Sequence, residues 1–286
     1  MHPKYGSILC LRPNQRKHFP GGCKMLISME ADMDRRIFLG ALSGLGALPS
    51  LAGAAPEKKT RFYVLEQMFL KNGSQLPRIH ETIGKTMLPL LNAVHTGPKI
   101  YLEALVAPQF AAIYGFESLE DMWGTHVKLA ASEEFRRKSE EFESGPEPPF
   151  EHQTNTLLLA ADYSPEIVPA PASAQPRIFE LRTYHSPTWR QLRALHERFA
   201  GPEIKIFGRC GIHPILYSST IFGANMPNLT YLIPFDNLAA REKAWNAFGA
   251  DPEWLKVRNE SIEKHGQISS VIEISIHKAA PYSPVR

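Results

Sequence analysis

Hydrophobic and polar positions follow a regular order along the later part of the chain. Alternation with a period of two predicts strands, and apolar residues at helical spacing predict helices between them. The resulting order is strand, helix, two strands, helix, strand. The predicted strands cover 177–185, 212–221, 229–235 and 271–277, with one helix over 189–199 and a second through Leu238, Trp245 and Phe248.

The earlier part of the chain repeats this order. The stretch from Arg61 matches the stretch from Arg177 at an offset of 116 residues, and the stretch from Tyr114 matches that from Ile233 at an offset of 119. A loop insertion between the two matching blocks accounts for the change of offset. We infer an internal duplication, because self-similarity at a fixed spacing is the signature of repeated structural units.

Both copies end on the same phrase, Ala-Ala-x-Tyr-Ser-Pro, at 160–165 and again at 279–284. The phrase sets the expected boundaries, with a first unit at 61–163 and a second at 177–281. Residues 164–176 are rich in Pro and Ala and predict a linker between the units.

A βαββαβ order is the ferredoxin-like plan, an antiparallel sheet with helices on one face. The face that the helices leave uncovered must also be buried, because an exposed apolar sheet face is unfavourable. Two such units in one chain can bury these faces against each other. The sequence therefore predicts an α+β fold of two tandem ferredoxin-like units, packed sheet to sheet as an α+β barrel. Ser132 and Asp251 stand at matching positions and are expected to cap helix starts.

Residues 33–54 carry the pattern of an export signal. Paired arginines, Arg35 and Arg36, precede Ile37-Phe38-Leu39 and an apolar run that ends in Ala-Gly-Ala. This pattern resembles the twin-arginine signal. The run is shorter than the roughly 20 residues that span a bilayer, so we expect no stable membrane anchor after cleavage. We expect a bacterial protein exported to the periplasm or another extracytoplasmic space, with residues 1–32 a mis-assigned start or a disordered leader.

The charge distribution argues against nucleic-acid binding. The formal net charge is +3, but residues 1–54 hold seven Lys/Arg and three Asp/Glu, which leaves 25 basic against 26 acidic residues. Such a body has no basic surface for phosphates. Cys210 is the one cysteine after residue 54, so we expect no internal disulfide.

Several motifs of the second unit together resemble the NIPSNAP family, over about 177–280. They are Glu180-Leu181-Arg182-Thr183-Tyr184, Asn228 before a strand, Phe235-Asp236-Asn237-Leu238-Ala239-Ala240-Arg241-Glu242 and Asp251-Pro252-Glu253-Trp254. The first unit resembles a diverged copy, with Val64-Leu65-Glu66-Gln67-Met68 at the first motif and Met122 in place of Arg241.

The resemblance implies a fold more than a reaction. The family is similar in fold to the dimeric α+β barrel group, which has haem-binding and cofactor-free oxygenase members. The resemblance therefore implies a barrel but does not imply a particular substrate.

Charged residues share one face of two predicted strands. Glu180, Arg182 and Tyr184 lie on one face of the first strand of the second unit, and Glu273 and His277 on one face of the last. We expect these faces to point into the barrel and the apolar faces to meet the helices.

Inside the barrel these residues are expected to form either a structural ion-pair network or a pocket for a small polar or anionic ligand. Arg182 would then clamp a carboxylate. The first unit has Val64, Glu66 and Met68 on the corresponding face. Any pocket is therefore expected to be polar on the side of the second unit.

Three functions stay open at this point. The first is an exported binding or structural module. The second is a cofactor-free oxygenase or isomerase that uses the barrel interior, with Glu180 or His277 as acid or base. The third is haem binding through His213 or His277. No other cofactor is predicted, and no histidine spacing indicates a metal site. A monomer and a homo-oligomer are both compatible with the sequence.

Overall fold

The computed structural model describes residues 59–71, 73–171 and 174–286. These residues belong to one compact unit, Pro56–Arg286. The expected leader at 1–32 and signal at 33–54 lie outside the described residues, as do two positions of the linker. Within the described part of the chain, no helix is long and apolar enough to cross a membrane.

The first half of the fold is built from four strands and their helices. In chain order they are β1 (Phe62–Phe69), α1 (Gln75–Thr82), a π-helical turn (Ile83–Met87), α2 (Leu88–Asn92), β2 (Lys99–Ala104), β3 (Gln109–Phe116), α3 (Leu119–Ala131), α4 (Glu133–Glu143) and β4 (His152–Ala160).

The second half repeats this order of elements. They are β5 (Ile178–His185), α5 (Trp189–Arg198), a π-helical turn (Phe199–Glu203), α6 (Ile204–Arg209), β6 (Leu216–Phe222), β7 (Asn228–Phe235), α7 (Leu238–Ala250), α8 (Pro252–His265) and β8 (Val271–Ala279). The offset of 116 superposes β1 on β5 and one π-helical turn on the other. The offset of 119 superposes β3 on β7, α3 on α7 and β4 on β8.

The eight strands close into one antiparallel barrel in the order β1-β3-β2-β8-β5-β7-β6-β4. The first four strands follow the order β4-β1-β3-β2, and the last four follow β8-β5-β7-β6, which is the same pattern. The α+β barrel expected from the sequence is confirmed. Two seams join the halves, where β2 pairs with β8 over Leu102–Ala104 and β4 with β6 over Leu157–Ala160.

The repeated phrase Ala-Ala-x-Tyr-Ser-Pro lies at these seams. The N–H of Ala161 donates to the carbonyl oxygen of Tyr217 on β6 at 2.8 Å, and the N–H of Ala280 donates to that of Tyr101 on β2 at 2.9 Å. Each half therefore ends by bonding to a strand of the other half, which fastens both seams in the same way.

The helix starts predicted at Ser132 and Asp251 are confirmed. Ser132 Oγ accepts from the N–H of Phe135 at 3.2 Å, and Asp251 Oδ1 accepts from the N–H of Trp254 at 2.9 Å. These bonds satisfy backbone donors that have no partner within the helix.

Apolar side chains fill the interior of the barrel. They come from both halves and include Tyr63, Leu65, Ile100, Leu102, Ala111, Ile113, Leu158, Phe179, Leu181, Leu216, Leu232 and Ala279. An eight-stranded barrel is just wide enough for side chains to fill it. The interior is therefore a packed core.

The expected orientation of β5 is wrong. Phe179 and Leu181 point into the barrel core, so the alternate residues Glu180, Arg182 and Tyr184 face the helices. The physical reason is that Glu180 and Arg182 need hydrogen-bond and ion-pair partners when they are buried. The helix side supplies charged and N–H groups for them, and the apolar barrel core does not.

Candidate functional site

Glu180 is the centre of a buried ion-pair cluster between β5 and α7. Its side chain has no exposed surface. Arg182 Nη1 donates to Glu180 Oε1 at 2.6 Å, Arg241 Nε donates to Oε2 at 2.6 Å, and Trp245 Nε1 donates to Oε2 at 2.9 Å. The Arg182 guanidinium lies 4.1 Å from the centre of the Trp245 ring. The carboxylate is therefore fully partnered by protein groups.

Of the other proposed site residues, Tyr184 contacts this cluster, with its ring centre 5.4 Å from the Arg182 guanidinium carbon. The remaining three lie elsewhere. Glu273 is exposed and lies 3.1 Å from His185 Nε2, not beside Arg182. His213 is exposed in the turn before β6. His277 is buried on the barrel side of β8, where its Nε2 lies 2.8 Å from Ser275 Oγ. The six residues thus occupy several separate places.

The two candidate haem ligands do not fit a haem site. His213 stands in an exposed turn, and His277 packs within the barrel with Phe179 as its register partner. Burial lowers the pKa of His277 to about 4, so this ring is neutral at pH 7. No group of three or more His, Cys, Asp or Glu able to hold a metal ion is found within the described ranges.

A cavity of about 340 Å³ lies in the first half, between the sheet and its helices. It is on the side of β1 that corresponds to the ion-pair cluster on β5. Its lining is mainly apolar and aromatic: Val64, Met68, Ile83, Met87, Leu88, Leu91, Tyr101, Tyr114, Phe116, Met122, Leu129, Phe135 and Phe142, with Glu66, Thr82, Thr125 and His126 as the polar members. We call it the first-half cavity.

Smaller side chains explain why the space is open in the first half. At positions related by the two offsets, the second half has Phe207 for Leu91 and Phe248 for Leu129. These two rings pack 4.7 Å apart within a buried aromatic cluster that also includes Tyr184, Phe199 and Tyr231. Protein interiors are close-packed, so replacing several rings by aliphatic chains leaves a cavity unless the elements move together.

The same comparison applies to the groups that surround Glu180. The first half has His126 where the second has Trp245, Met122 where it has Arg241, and Val64 where it has Glu180. The whole cluster that fills the second half is therefore absent at the matching place in the first.

Glu66 is the one acidic residue in the lining of the cavity. It lies on β1 with its side chain partly buried, and burial raises its pKa to about 7. The cause is desolvation, which disfavours the ionised form. Across the described residues, its carboxyl has no hydrogen bond or ion pair within the protein, in contrast to Glu180.

The alternation of β1 predicts Glu66 on this face, but the charged residues of β5 and β8 predict a polar pocket in the second half, whereas the cavity lies in the first half. The signal in the sequence for this cavity is the difference in side-chain size at matched positions, such as Phe248 against Leu129. Charged residues do not mark it, because Glu180 and Arg182 bond to each other instead of lining a pocket.

Comparisons with known proteins agree with the architecture. The NIPSNAP family model matches residues 179–284, which is the second half of the barrel. No curated protein matches the chain. An anthrone oxidase-like protein of known structure is 12% identical with a TM-score of 0.50, and the match covers 78% of this chain and 92% of that one.

Two further solved structures have lower TM-scores against the chain. A NIPSNAP family protein of unknown function from Agrobacterium tumefaciens is 23% identical, with a TM-score of 0.34 over 38% of this chain and 94% of its own. A chlorite dismutase from Candidatus Nitrospira defluvii is 6% identical, with a TM-score of 0.43 over 79% of this chain and 93% of its own. The eight strands of the chain form a closed α+β barrel, and its residues 179–284 match the NIPSNAP family model.

Proposed function

We propose that this protein is a small-molecule-binding α+β barrel that holds an apolar molecule in the first-half cavity. The observation that carries the proposal is the difference between the halves. One face of the second half carries aromatic rings and an ion-pair cluster and leaves a pocket of about 150 Å³ beside Tyr184 and Trp254, whereas the matching face of the first half has a cavity of about 340 Å³. Concave, mainly apolar sites of this size are typical of small-molecule binding.

The second half has the structural role in this proposal. Arg182 is committed to Glu180, so it is not free to clamp an anionic ligand. The barrel interior gives no support to an oxygenase or isomerase site there, because apolar side chains from both halves fill it.

Duplication of one ferredoxin-like unit is the origin we infer for this asymmetry. It is supported by the equal strand orders of the two halves and by π-helical turns at Ile83–Met87 and Phe199–Glu203, which are 116 residues apart. In this account one copy kept a filled helix-side core and the other opened a cavity.

Export through the twin-arginine route remains part of the proposal. It is supported by Arg35 and Arg36 before a short apolar run. Fractionation of a bacterial host that expresses the full chain tests it, since replacement of both arginines by lysine should keep the protein in the cytoplasm. Periplasmic recovery of that variant would refute twin-arginine export.

Binding is tested with N-phenyl-1-naphthylamine, a neutral probe whose fluorescence rises in apolar surroundings. We expect saturable enhancement with the purified protein. Leu129→Phe introduces the ring that stands at Phe248 and should weaken binding by about tenfold or more. Lys128→Phe adds the same ring at an exposed neighbouring position and should leave binding unchanged. Absence of saturable binding, or equal affinity in both variants, would contradict the proposal.

A further inference from the structure

Glu66 gives the first-half cavity a chemical preference beyond shape. The residue lies among apolar and aromatic side chains, and no lysine or arginine is present in the described lining. A carboxyl in such surroundings is costly to ionise unless a cation or several hydrogen-bond donors approach it.

The second half shows how this fold satisfies a carboxylate at the same sheet face. Glu180 has two guanidinium groups and the Trp245 indole N–H. In the first half, Met122 stands in place of Arg241. At the offset of 116, Glu66 stands in place of Arg182, so the first half has a carboxyl where the second half has a guanidinium paired with Glu180. Among the described residues, no guanidinium or ammonium group pairs with Glu66.

We propose that the first-half cavity binds an amphipathic amine whose ammonium group pairs with the Glu66 carboxylate and whose apolar part occupies the rest of the space. This inference rests on the proposed binding function and adds the ligand class. The ammonium supplies the positive charge that the lining of the cavity does not provide to Glu66.

The surrounding rings favour the same kind of ligand. Tyr101 and Tyr114 line the same cavity from β2 and β3, and aromatic rings attract a cation that is removed from water. An organic acid is disfavoured, because it would bring a second negative charge next to an unpaired carboxyl. A neutral molecule gains the apolar contacts but leaves the carboxyl without a counterion.

The test compares three ligands of equal chain length as competitors of N-phenyl-1-naphthylamine: octylamine, octanol and octanoate. Octylamine is expected to displace the probe at about tenfold lower concentration than octanol. The extra affinity comes from the hydrogen bond between its ammonium group and the charged Glu66 carboxylate. Octanoate is expected to be the weakest. In Glu66→Gln, octylamine and octanol should become equal. Glu134→Gln, at an exposed position of α4, should keep the wild-type order.

Dependence on pH gives a second measurement on the unaltered protein. Because the pKa of Glu66 is about 7, the affinity for octylamine should fall about tenfold between pH 8 and pH 6, where the carboxyl becomes protonated. Tyr101 and Tyr114 stay neutral over this range. His126 on α3 is the other titratable side chain in the lining of the cavity. The affinity for octanol should change little.

The outcomes separate the two proposals. Equal displacement by octylamine and octanol in the wild-type protein, at both pH values, would overturn the amine assignment and leave the apolar binding site intact. Probe binding that no ligand displaces and that Leu129→Phe does not weaken would overturn both.

Discussion

The hydroxyl of Ser283 accepts a hydrogen bond from the backbone N–H of Tyr101 at 3.1 Å. The bond joins the C-terminal segment to β2 at the seam between the halves. The other seam has the same bond, in which Ser164 Oγ accepts from the N–H of Tyr217 on β6 at 3.0 Å. Both serines belong to the repeated closing phrase, and both are buried.

Removal of either hydroxyl should weaken the barrel. Ser164→Ala and Ser283→Ala each leave a buried backbone N–H without its partner, and we expect each to lower the free energy of unfolding by about 1–2 kcal/mol. Chemical denaturation measures the change. Ser144→Ala, at an exposed position, is the control and should have no measurable effect. A loss no larger than that of the control would show that these bonds do not hold the seams.

Arg241→Met should destabilise the second half. The side chain shields the fully buried Glu180 carboxylate, and its loss removes part of the compensation for a buried charge. We expect a loss of about 2 kcal/mol or more in thermal or chemical unfolding. Arg209→Met breaks an exposed pair with Asp251 and should cost less, because solvent screens that pair. Equal losses would contradict the assignment of the cluster as a structural core.

Glu66→Gln should make the protein more stable at alkaline pH. Burial raises the pKa of Glu66 from 4.5 to about 7, so the unfolded chain releases this proton at lower pH than the folded one. The wild-type protein therefore loses stability as the pH rises from about 4.5 to 7, by about 3 kcal/mol in total. The free energy of unfolding of the variant should increase relative to that of the wild type over this range. Above pH 7 the difference between the two should stay constant. A difference that is independent of pH would show that Glu66 is solvated or paired.

His277→Gln should reduce the acid sensitivity of the barrel. The pKa of the buried histidine is lowered from 6.5 to about 4 by desolvation, so the unfolded chain binds a proton first as the pH falls. The stability that the neutral ring contributes is lost between pH 6.5 and 4, by about 3 kcal/mol. The difference in unfolding free energy between wild type and variant should shrink by that amount over the same range. A constant difference would place His277 in contact with water.

The barrel was predictable because its signals are local and repeated. Strand alternation, helical spacing and the capping residues Ser132 and Asp251 each act over a few positions, and the same order of elements is predicted twice along the chain.

The orientation of β5 was not predictable from alternation alone. Alternation separates Glu180 and Arg182 from Phe179 and Leu181 but does not say which set faces the helices. That choice depends on Arg241 and Trp245, which reach Glu180 from an element about 60 residues later in the sequence. The cavity depends on a sum of packing differences over several elements, which no single motif contains.

A crystal structure of the protein grown with N-phenyl-1-naphthylamine would show where the probe binds. We expect density for the probe between β1 and α3, in contact with Leu129 and next to Glu66, and none for it beside Trp245 and Phe248 in the second half. A probe bound within the barrel or only on the surface, with side chains closed over the first-half cavity, would contradict this expectation.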